Sequence, residues 1–190
     1  MGTRHFIGVV LDGDFKVAQY GQWDGYPTGQ GATVLKFLRL MDRPKFEANL
    51  RASHFMTQAE LDEFDRIADV NPITWPTTYP HMSRDAGAEI LSMVQARPLA
   101  LVDRRDFTRD SLFCEWAYII DLDTNQLEVY KGFNHEPLPP GQRFSSLEPL
   151  PNHAGVVEYY PIRLVKTYAF DALPTVEQLD AECYPSEDEE

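Results

Sequence analysis

The sequence has little cysteine and no long apolar run, and each scarcity excludes a class of protein. Its 190 residues include two cysteines, Cys114 and Cys183, whose spacing fits no metal or redox pair. Cys114 alone is typical of a small buried apolar residue. No apolar segment approaches the roughly 20 residues of a membrane span, and the N-terminus has no apolar core like that of a signal peptide. We therefore expect a cytoplasmic protein with no membrane association.

Bases are also scarce, with 17 Lys and Arg against 30 Asp and Glu, a formal net charge of −13. A chain of this sign repels nucleic-acid phosphates unless its bases cluster locally. Nucleic-acid binding is therefore disfavoured, and it would require Arg97, Arg104, Arg105 and Arg109 to form one patch. The same charge attracts cationic partners, which keeps a cationic protein partner open.

Metal-ligating patterns are missing as well. The five histidines are scattered, without the spacing of a zinc site. Asp121, Asp123 and Asn125 begin like a calcium loop, but Gln126 stands where the sharp-turn glycine belongs. A hairpin turn explains the same residues. The sequence predicts no metal and no cofactor.

What is present is an ordinary globular composition, with 43% hydrophobic and 12% aromatic residues. The length fits one domain with a sizeable core. We expect a single α+β domain over residues 1–185, followed by an acidic tail over residues 186–190.

The first half predicts a strand hairpin and then helices. Two strands, Arg4 to Leu11 and Phe15 to Tyr20, flank Asp12-Gly13, a strong hairpin signal. Helical spacing begins at Ala32, and Pro44 is expected to end that helix. Three further features are a capping box at Thr57, an irregular stretch from Asn71 to Pro80, and a third helix capped by Asp85.

The second half predicts mainly strands. Residues 115–122 are apolar on both faces, as in a central strand, and residues 126–130 return as its hairpin partner. A proline-rich excursion over residues 135–151 is expected to cover a site or to be mobile. Residues 156–170 indicate one long edge strand or two short ones broken at Pro161, and Thr175 caps a short helix. Strands and helices in separate runs indicate an α+β fold, for which we expect stacked antiparallel sheets with flanking helices.

The stretch from Tyr20 to Gly31 carries more side-chain chemistry than a connecting loop needs. It places Gln22, Trp23, Asp24 and Tyr26 among four glycines and a proline. Loops that present such groups on a rigid scaffold often bind or catalyse. Hairpin pairing would bring the start of the first strand to the same place, adding two further residues, Thr3 and Arg4.

These residues suggest roles in a small-molecule site. Asp24 would act as a base or cation anchor, Arg4 would clamp a carboxylate, and Glu115 would supply a second acid. The binding walls would come from four loop residues: Tyr20, Gln22, Trp23 and Tyr26. The simpler alternatives are that Asp24 and Thr28 only tie the turn, that Trp23 plugs the core, and that Glu115 faces water or pairs with Arg109.

The order of a hairpin starting near residue 3, a pair of helices and further hairpins resembles the N-terminal nucleophile (Ntn) hydrolases. The resemblance implies an Ntn-hydrolase-like fold in which a terminal Cys, Ser or Thr attacks an amide and its free amine acts as base. Here that residue would be Thr3. Removal of Met1 alone exposes Gly2, so Thr3 needs one further cleavage.

Two strings, Ala18-Gln-Tyr-Gly-Gln-Trp-Asp-Gly-Tyr-Pro27 and Cys114-Glu-Trp-Ala-Tyr-Ile-Ile-Asp-Leu-Asp123, also resemble an uncharacterised group of small microbial proteins. That resemblance implies no function. Two functional predictions follow from the residues themselves. One is an enzyme acting on an amide, ester or amino-acid-like ligand at the first hairpin. The other is a non-enzymatic acidic module that binds or regulates a cationic protein.

Overall fold

The computed structural model describes residues 2–184, which form an α+β fold with helices packed on one face of a five-stranded sheet. The strands are β1 (His5–Leu11), β2 (Asp14–Gly21), β3 (His54–Phe55), β4 (Ala100–Leu101), β5 (Trp116–Asp121), β6 (Gln126–Lys131) and β7 (Arg163–Ala169). The α-helices are α1 (Ala32–Leu40), α2 (Arg43–Ala52), α3 (Gln58–Val70), α4 (Trp75–Thr78), α5 (Glu89–Ala96) and α6 (Val176–Cys183). The expected tail over residues 186–190 and the end of the expected domain lie outside the described residues.

The main sheet has the order β2-β1-β5-β6-β7. Its neighbouring strands are antiparallel except for β1 and β5, which pair in parallel. The expectation of stacked antiparallel sheets was therefore wrong, because the described residues form one mixed sheet and a two-stranded parallel sheet of β3 and β4. The reason is the helical stretch between the hairpins, which crosses over and returns the chain parallel to β1.

The first hairpin is confirmed, and its turn is fixed by positive φ angles. Asp12 has φ of 57° and Gly13 has φ of 76°, the signs that a tight two-residue turn requires. Because β1 and β5 are parallel, the two hairpin turns lie side by side. The carboxylate of Asp123 in the second turn accepts the N–H groups of Asp12 at 2.9 Å and Gly13 at 2.8 Å. One side chain therefore joins the two hairpins.

The central strand β5 is buried on both faces, as predicted. Tyr118 and Ile120 face the helices, where they join the core formed with α1, α2, α5 and α6. Ala117 and Ile119 face the opposite side. Cys114 is buried on that side too, and burial raises the pKa of its thiol. Its predicted role as a buried apolar residue is confirmed.

The opposite face of the sheet is covered by the proline-rich excursion. Phe144 packs on Tyr130 with ring centroids 5.0 Å apart. Arg143 donates to Glu128 at 2.8 Å and to Asp121 at 2.5 Å, so it ties the excursion to two strands. The excursion therefore closes the core on this face of the sheet, which includes Ile119, Tyr130 and Phe144.

Two helix boundaries differ from the prediction. The helix predicted from Ala32 does end before Pro44, since α1 ends at Leu40, but Pro44 itself lies in the first turn of α2, which the sequence did not predict. Proline fits the start of a helix because no N–H bond is lost there. The Asp42 carboxylate caps α2 by accepting the N–H of Lys45. Asp85 caps no helix, since α5 begins at Glu89. The capping boxes at Thr57 and Thr175 are confirmed.

Of residues 156–170, the structure forms one strand after Pro161, β7, and its edge position is confirmed. The irregular stretch from Asn71 to Pro80 contains the short helix α4. Across residues 2–184, no helix combines the length and the apolar character that crossing a membrane requires.

Candidate functional site

The glycine-rich loop folds back onto the start of β1. The N–H of Gly25 donates to the carbonyl of Thr3 at 3.0 Å, and the Tyr118 hydroxyl donates to the carbonyl of Gly25 at 2.9 Å. Within the loop, the N–H of Gln30 donates to the carbonyl of Asp24 at 2.8 Å. The expected closeness of the loop and the first residues is confirmed by these bonds.

The predicted catalytic residues differ widely in exposure. Thr3 is buried, with 7% of its surface exposed. Asp24 is exposed and has a φ of 56°, and its neighbours Trp23 and Tyr26 are exposed as well. Glu115 is half-buried and accepts the backbone N–H of Arg4 at 3.1 Å. The chemical roles of these residues remain predictions.

Arg4 is half-buried and lies over the ring of Phe113 at 4.9 Å. The backbones of Arg4 and Glu115 also pair, since the N–H of Glu115 donates to the carbonyl of Arg4 at 3.1 Å. Arg109, the alternative partner considered for Glu115, instead donates to the carbonyl of Glu148 at 2.8 Å. The first residues of β1 are thus joined to the start of β5.

His5 lies beneath this loop and was missed by sequence reasoning. Its ring is fully buried, and a side chain at Gly21 would meet it at 2.1 Å, which explains the glycine. Neither ring nitrogen has a hydrogen-bond partner within residues 2–184. Burial lowers the pKa of His5 to about 4, although the nearby Thr3 backbone offsets part of that shift. The imidazole is therefore neutral at pH 7.

Tyr20 connects the loop to a cavity. Its ring packs edge-on against Phe107 with centroids 4.8 Å apart, and its hydroxyl donates to Gln22. The backbone N–H of Gln22 donates to the carbonyl of Arg84 at 3.0 Å. Tyr20, Phe107 and Arg84 all line a cavity of about 540 Å³, which we call the second cavity. Of the eight predicted site residues, Tyr20 is the one that lines it.

A larger cavity of about 620 Å³ lies between α3 and residues 97–100, and we call it the first cavity. Phe64 and Ile67 of α3 and Leu99 form much of its apolar lining. The Phe64 ring makes two edge-on contacts, with ring centroids 5.4 Å from that of Trp75 and 5.8 Å from that of Tyr79. No residue of α3 is fully buried, although its sequence has an apolar face. That face is open because it borders the cavity.

The two cavities adjoin, since His81 and Met82 line both of them. We refer to them together as the paired cavities. Burial and the nearby charge of Arg97 lower the pKa of His81, so its ring is neutral at pH 7. The paired cavities therefore join an apolar chamber to a more polar one through a neutral imidazole.

The acids of the first cavity are already engaged. Glu60 accepts the N–H of Thr57 at 2.8 Å and contacts His54 at 2.9 Å. These bonds, with that from Thr57 first, lower the pKa of Glu60 to about 2. Glu63 pairs with Arg66 one turn along α3. Arg97, by contrast, makes no ion pair or side-chain hydrogen bond within residues 2–184.

Nucleic-acid binding would require four arginines to form one patch of unpaired positive charge, and they do not. These are Arg97, Arg104, Arg105 and Arg109. Arg105 pairs with Asp103 at 2.6 Å, and Arg109 lies 3.9 Å from Asp106. Arg97 lines the first cavity and Arg104 the second. Two of the four charges are therefore already paired with carboxylates.

Sequence reasoning missed the paired cavities because their walls come from segments far apart in the chain. The available signal was the helical spacing of Leu61, Phe64 and Ile67, which gives α3 an apolar face, but the sequence does not show what lies against that face. The part of the chain that the structure describes holds no group of three or more His, Cys, Asp or Glu placed to bind a metal ion.

No protein-family model matches the chain, and no curated protein or solved structure is significantly similar to it. The function proposed below therefore depends on the geometry of the site alone.

Proposed function

We propose that the protein binds a small organic molecule in the paired cavities, with an apolar part of that molecule in the first cavity. The observation that carries this proposal is the first cavity itself, at about 620 Å³. Small-molecule sites typically measure about 300–1,000 Å³, with mostly apolar walls and a few converging polar groups. Phe64, Ile67 and Leu99 supply such walls, and His81 and Arg97 supply polar groups.

Helix α3 gives a physical reason for a ligand there. An amphipathic helix of a globular protein normally buries its apolar face against the core. In α3 the face that includes Leu61, Phe64 and Ile67 is only half-buried. A ligand in the first cavity would remove more of this surface from water, which favours binding by the hydrophobic effect.

The proposal concerns binding, and it is separate from the predicted chemistry at the first hairpin. An enzyme acting on an amide, ester or amino-acid-like ligand through Thr3, Asp24 and Glu115 remains a prediction. Thr3 is buried whereas Asp24 is exposed, and an attacking hydroxyl needs a base within hydrogen-bond reach. Binding in the paired cavities does not depend on these three residues.

The proposal is tested with N-phenyl-1-naphthylamine, a neutral apolar dye whose fluorescence rises in apolar surroundings. We expect saturable binding to the full chain at one site. Ile67→Asn, which places an amide in the first cavity, should weaken binding about tenfold, because a polar group buried without a partner costs roughly 1–3 kcal/mol. Asp69→Asn is the control on the same helix, since Asp69 is exposed and does not line the cavity. Binding that is absent, or that Ile67→Asn leaves unchanged, would refute the proposal.

A further inference from the structure

We infer that the molecule bound in the paired cavities is an amphipathic oxyanion, with its carboxylate or phosphate group in the second cavity, held by Arg84 and Arg104. The inference rests on the proposed function and adds the chemical class of the ligand. The apolar body of the ligand would occupy the first cavity.

The charges that line the second cavity support an anionic ligand. Asp103 receives bonds from Arg105 at 3.0, 2.9 and 2.6 Å, so its charge is compensated within the protein. The Asp106 side chain is 94% exposed and lies 3.9 Å from Arg109. Both acids of this cavity therefore have a guanidinium beside them.

Two bases of the same cavity have no such partner. Within residues 2–184, the guanidinium groups of Arg84 and Arg104 make no ion pair and donate no hydrogen bond, and both residues are exposed. Elsewhere in this acidic chain, most arginines contact a carboxylate, and Arg51, Arg105 and Arg143 each contact two. Two uncompensated arginines on one cavity make a locally positive site in a protein of net charge −13.

Arginine chemistry gives the class of the anion. The guanidinium group presents a planar fork of N–H donors that matches carboxylate and phosphate oxygens. Tyr20 and Gln19 line the same cavity, but the Tyr20 hydroxyl and the Gln19 amide nitrogen already donate to other groups. The arginines therefore supply the uncommitted donors for the head group.

The connection between the cavities fixes the shape of the ligand. Because His81 and Met82 line both cavities, one molecule can span them. His81, whose pKa is lowered by burial and by the charge of Arg97, stays neutral, so its imidazole adds no positive charge beside Arg97. The expected ligand has a charged head and an apolar tail, like a medium-chain carboxylate or an alkyl phosphate.

The test is calorimetric titration of the full chain at low salt with decanoate, decyl phosphate and decanol, each below its micelle concentration. We expect one or both anions to bind at least about tenfold more tightly than decanol, because charge-assisted bonds to arginine add to the burial of the shared alkyl chain. The preferred anion then identifies the head group. In the double variant Arg84→Gln/Arg104→Gln, this advantage should disappear.

Arg163→Gln is the matched control. Arg163 is exposed and lies on β7, at the opposite edge of the sheet from β2, so the change removes the same charge away from the cavities. It should leave the preference for the anion intact. Anions that bind no better than decanol, or a preference that survives in the double variant, would overturn the inference. If decanol binds and the anions gain nothing, only this inference fails; if none of the three binds, the proposed function fails with it.

Discussion

The indole N–H of Trp23 donates to a carboxylate oxygen of Asp85 at 2.8 Å, across 62 residues of sequence. Trp23 is 46% exposed, so this bond, more than burial, holds its side chain in place. Asp85 does not cap α5, which begins at Glu89, although the sequence predicted such a cap. The bond fastens the glycine-rich loop to the segment that carries Arg84 to the second cavity.

Loss of this bond should loosen the loop where it meets that segment. In Asp85→Ala, the N–H of Gln22, which donates to the carbonyl of Arg84, should exchange with solvent deuterium faster than in the parent protein. Asp85→Asn, which keeps an acceptor oxygen, should exchange nearly as slowly as the parent. Hydrogen exchange read by NMR at the Gln22 amide checks this, and equal rates in all three proteins would show that the bond does not hold the loop.

Buried His5 should make stability depend on pH. Its pKa is about 4 in the folded protein and about 6.5 when unfolded, so below pH 6.5 the unfolded chain binds a proton that the folded one does not. The stability that depends on neutral His5 is fully present above pH 6.5. It is lost as pH falls toward 4, which lowers the free energy of unfolding by up to about 3 kcal/mol.

Urea unfolding between pH 7 and pH 4 measures this dependence. In His5→Leu the slope between pH 6.5 and 4 should be smaller, and stability at pH 7 should be little changed, because the ring nitrogens have no partner to lose. His153→Gln, at an exposed histidine, should keep the parent slope. A His5→Leu slope equal to that of the parent would contradict the buried neutral state.

Arg143 should be the strongest single anchor of the proline-rich excursion. It bonds to both Asp121 and Glu128, and each of these side chains is less than one-fifth exposed. Arg143→Ala leaves two carboxylates without their cation, so we expect the free energy of unfolding to fall by about 3 kcal/mol. Arg143→Lys, which keeps the charge but not the fork, should lose less.

The stabilisation of the fold by Arg143 should also decrease at low pH. Burial raises the pKa of Asp121, but the Thr124 backbone and Arg143 together lower it below its usual value. Because the folded pKa is the lower one, this stability is present above the ordinary carboxyl pKa and is lost as pH falls through the folded value. The free energies of unfolding of the parent and Arg143→Ala, measured with urea, should therefore converge in strong acid. A difference that stays constant with pH would contradict this role of Arg143.

Asp123 should stabilise the two hairpin turns together. In Asp123→Ala the N–H groups of Asp12 and Gly13 lose their acceptor, and since both are exposed to water we expect a loss of about 1 kcal/mol. Asp123→Asn keeps one acceptor oxygen and should lose about half as much. Thermal unfolding by calorimetry measures both, and an unchanged midpoint for Asp123→Ala would show that water replaces the carboxylate.

The elements that sequence could predict were those set by local chemistry. Asp12-Gly13 specified its turn, and Thr57 its capping box, because each depends on neighbouring residues. The parallel pairing of β1 and β5 could not be predicted, since it depends on how α1 to α5 pack between them. Helix α2 was missed because Pro44, which was taken as the end of one helix, is also favoured in the first turn of another.

The candidate site could be predicted only where it depends on local strand pairing. Register placed Thr3 beside the glycine-rich loop, as predicted, because strand pairing has simple geometry. The paired cavities need α3, residues 97–100 and the end of β2 to meet. No local pattern in the sequence encodes that meeting. Only Tyr20 belongs to both the predicted site and the cavities.

The most direct measurement is a crystal structure of the protein soaked or co-crystallised with decanoate. We predict that the alkyl chain lies against Phe64 and Ile67 in the first cavity, with the carboxylate within hydrogen-bond distance of Arg84 or Arg104. Decanoate bound instead at the loop of Trp23 and Asp24, with the paired cavities left to solvent, would contradict the proposal and return attention to the first hairpin.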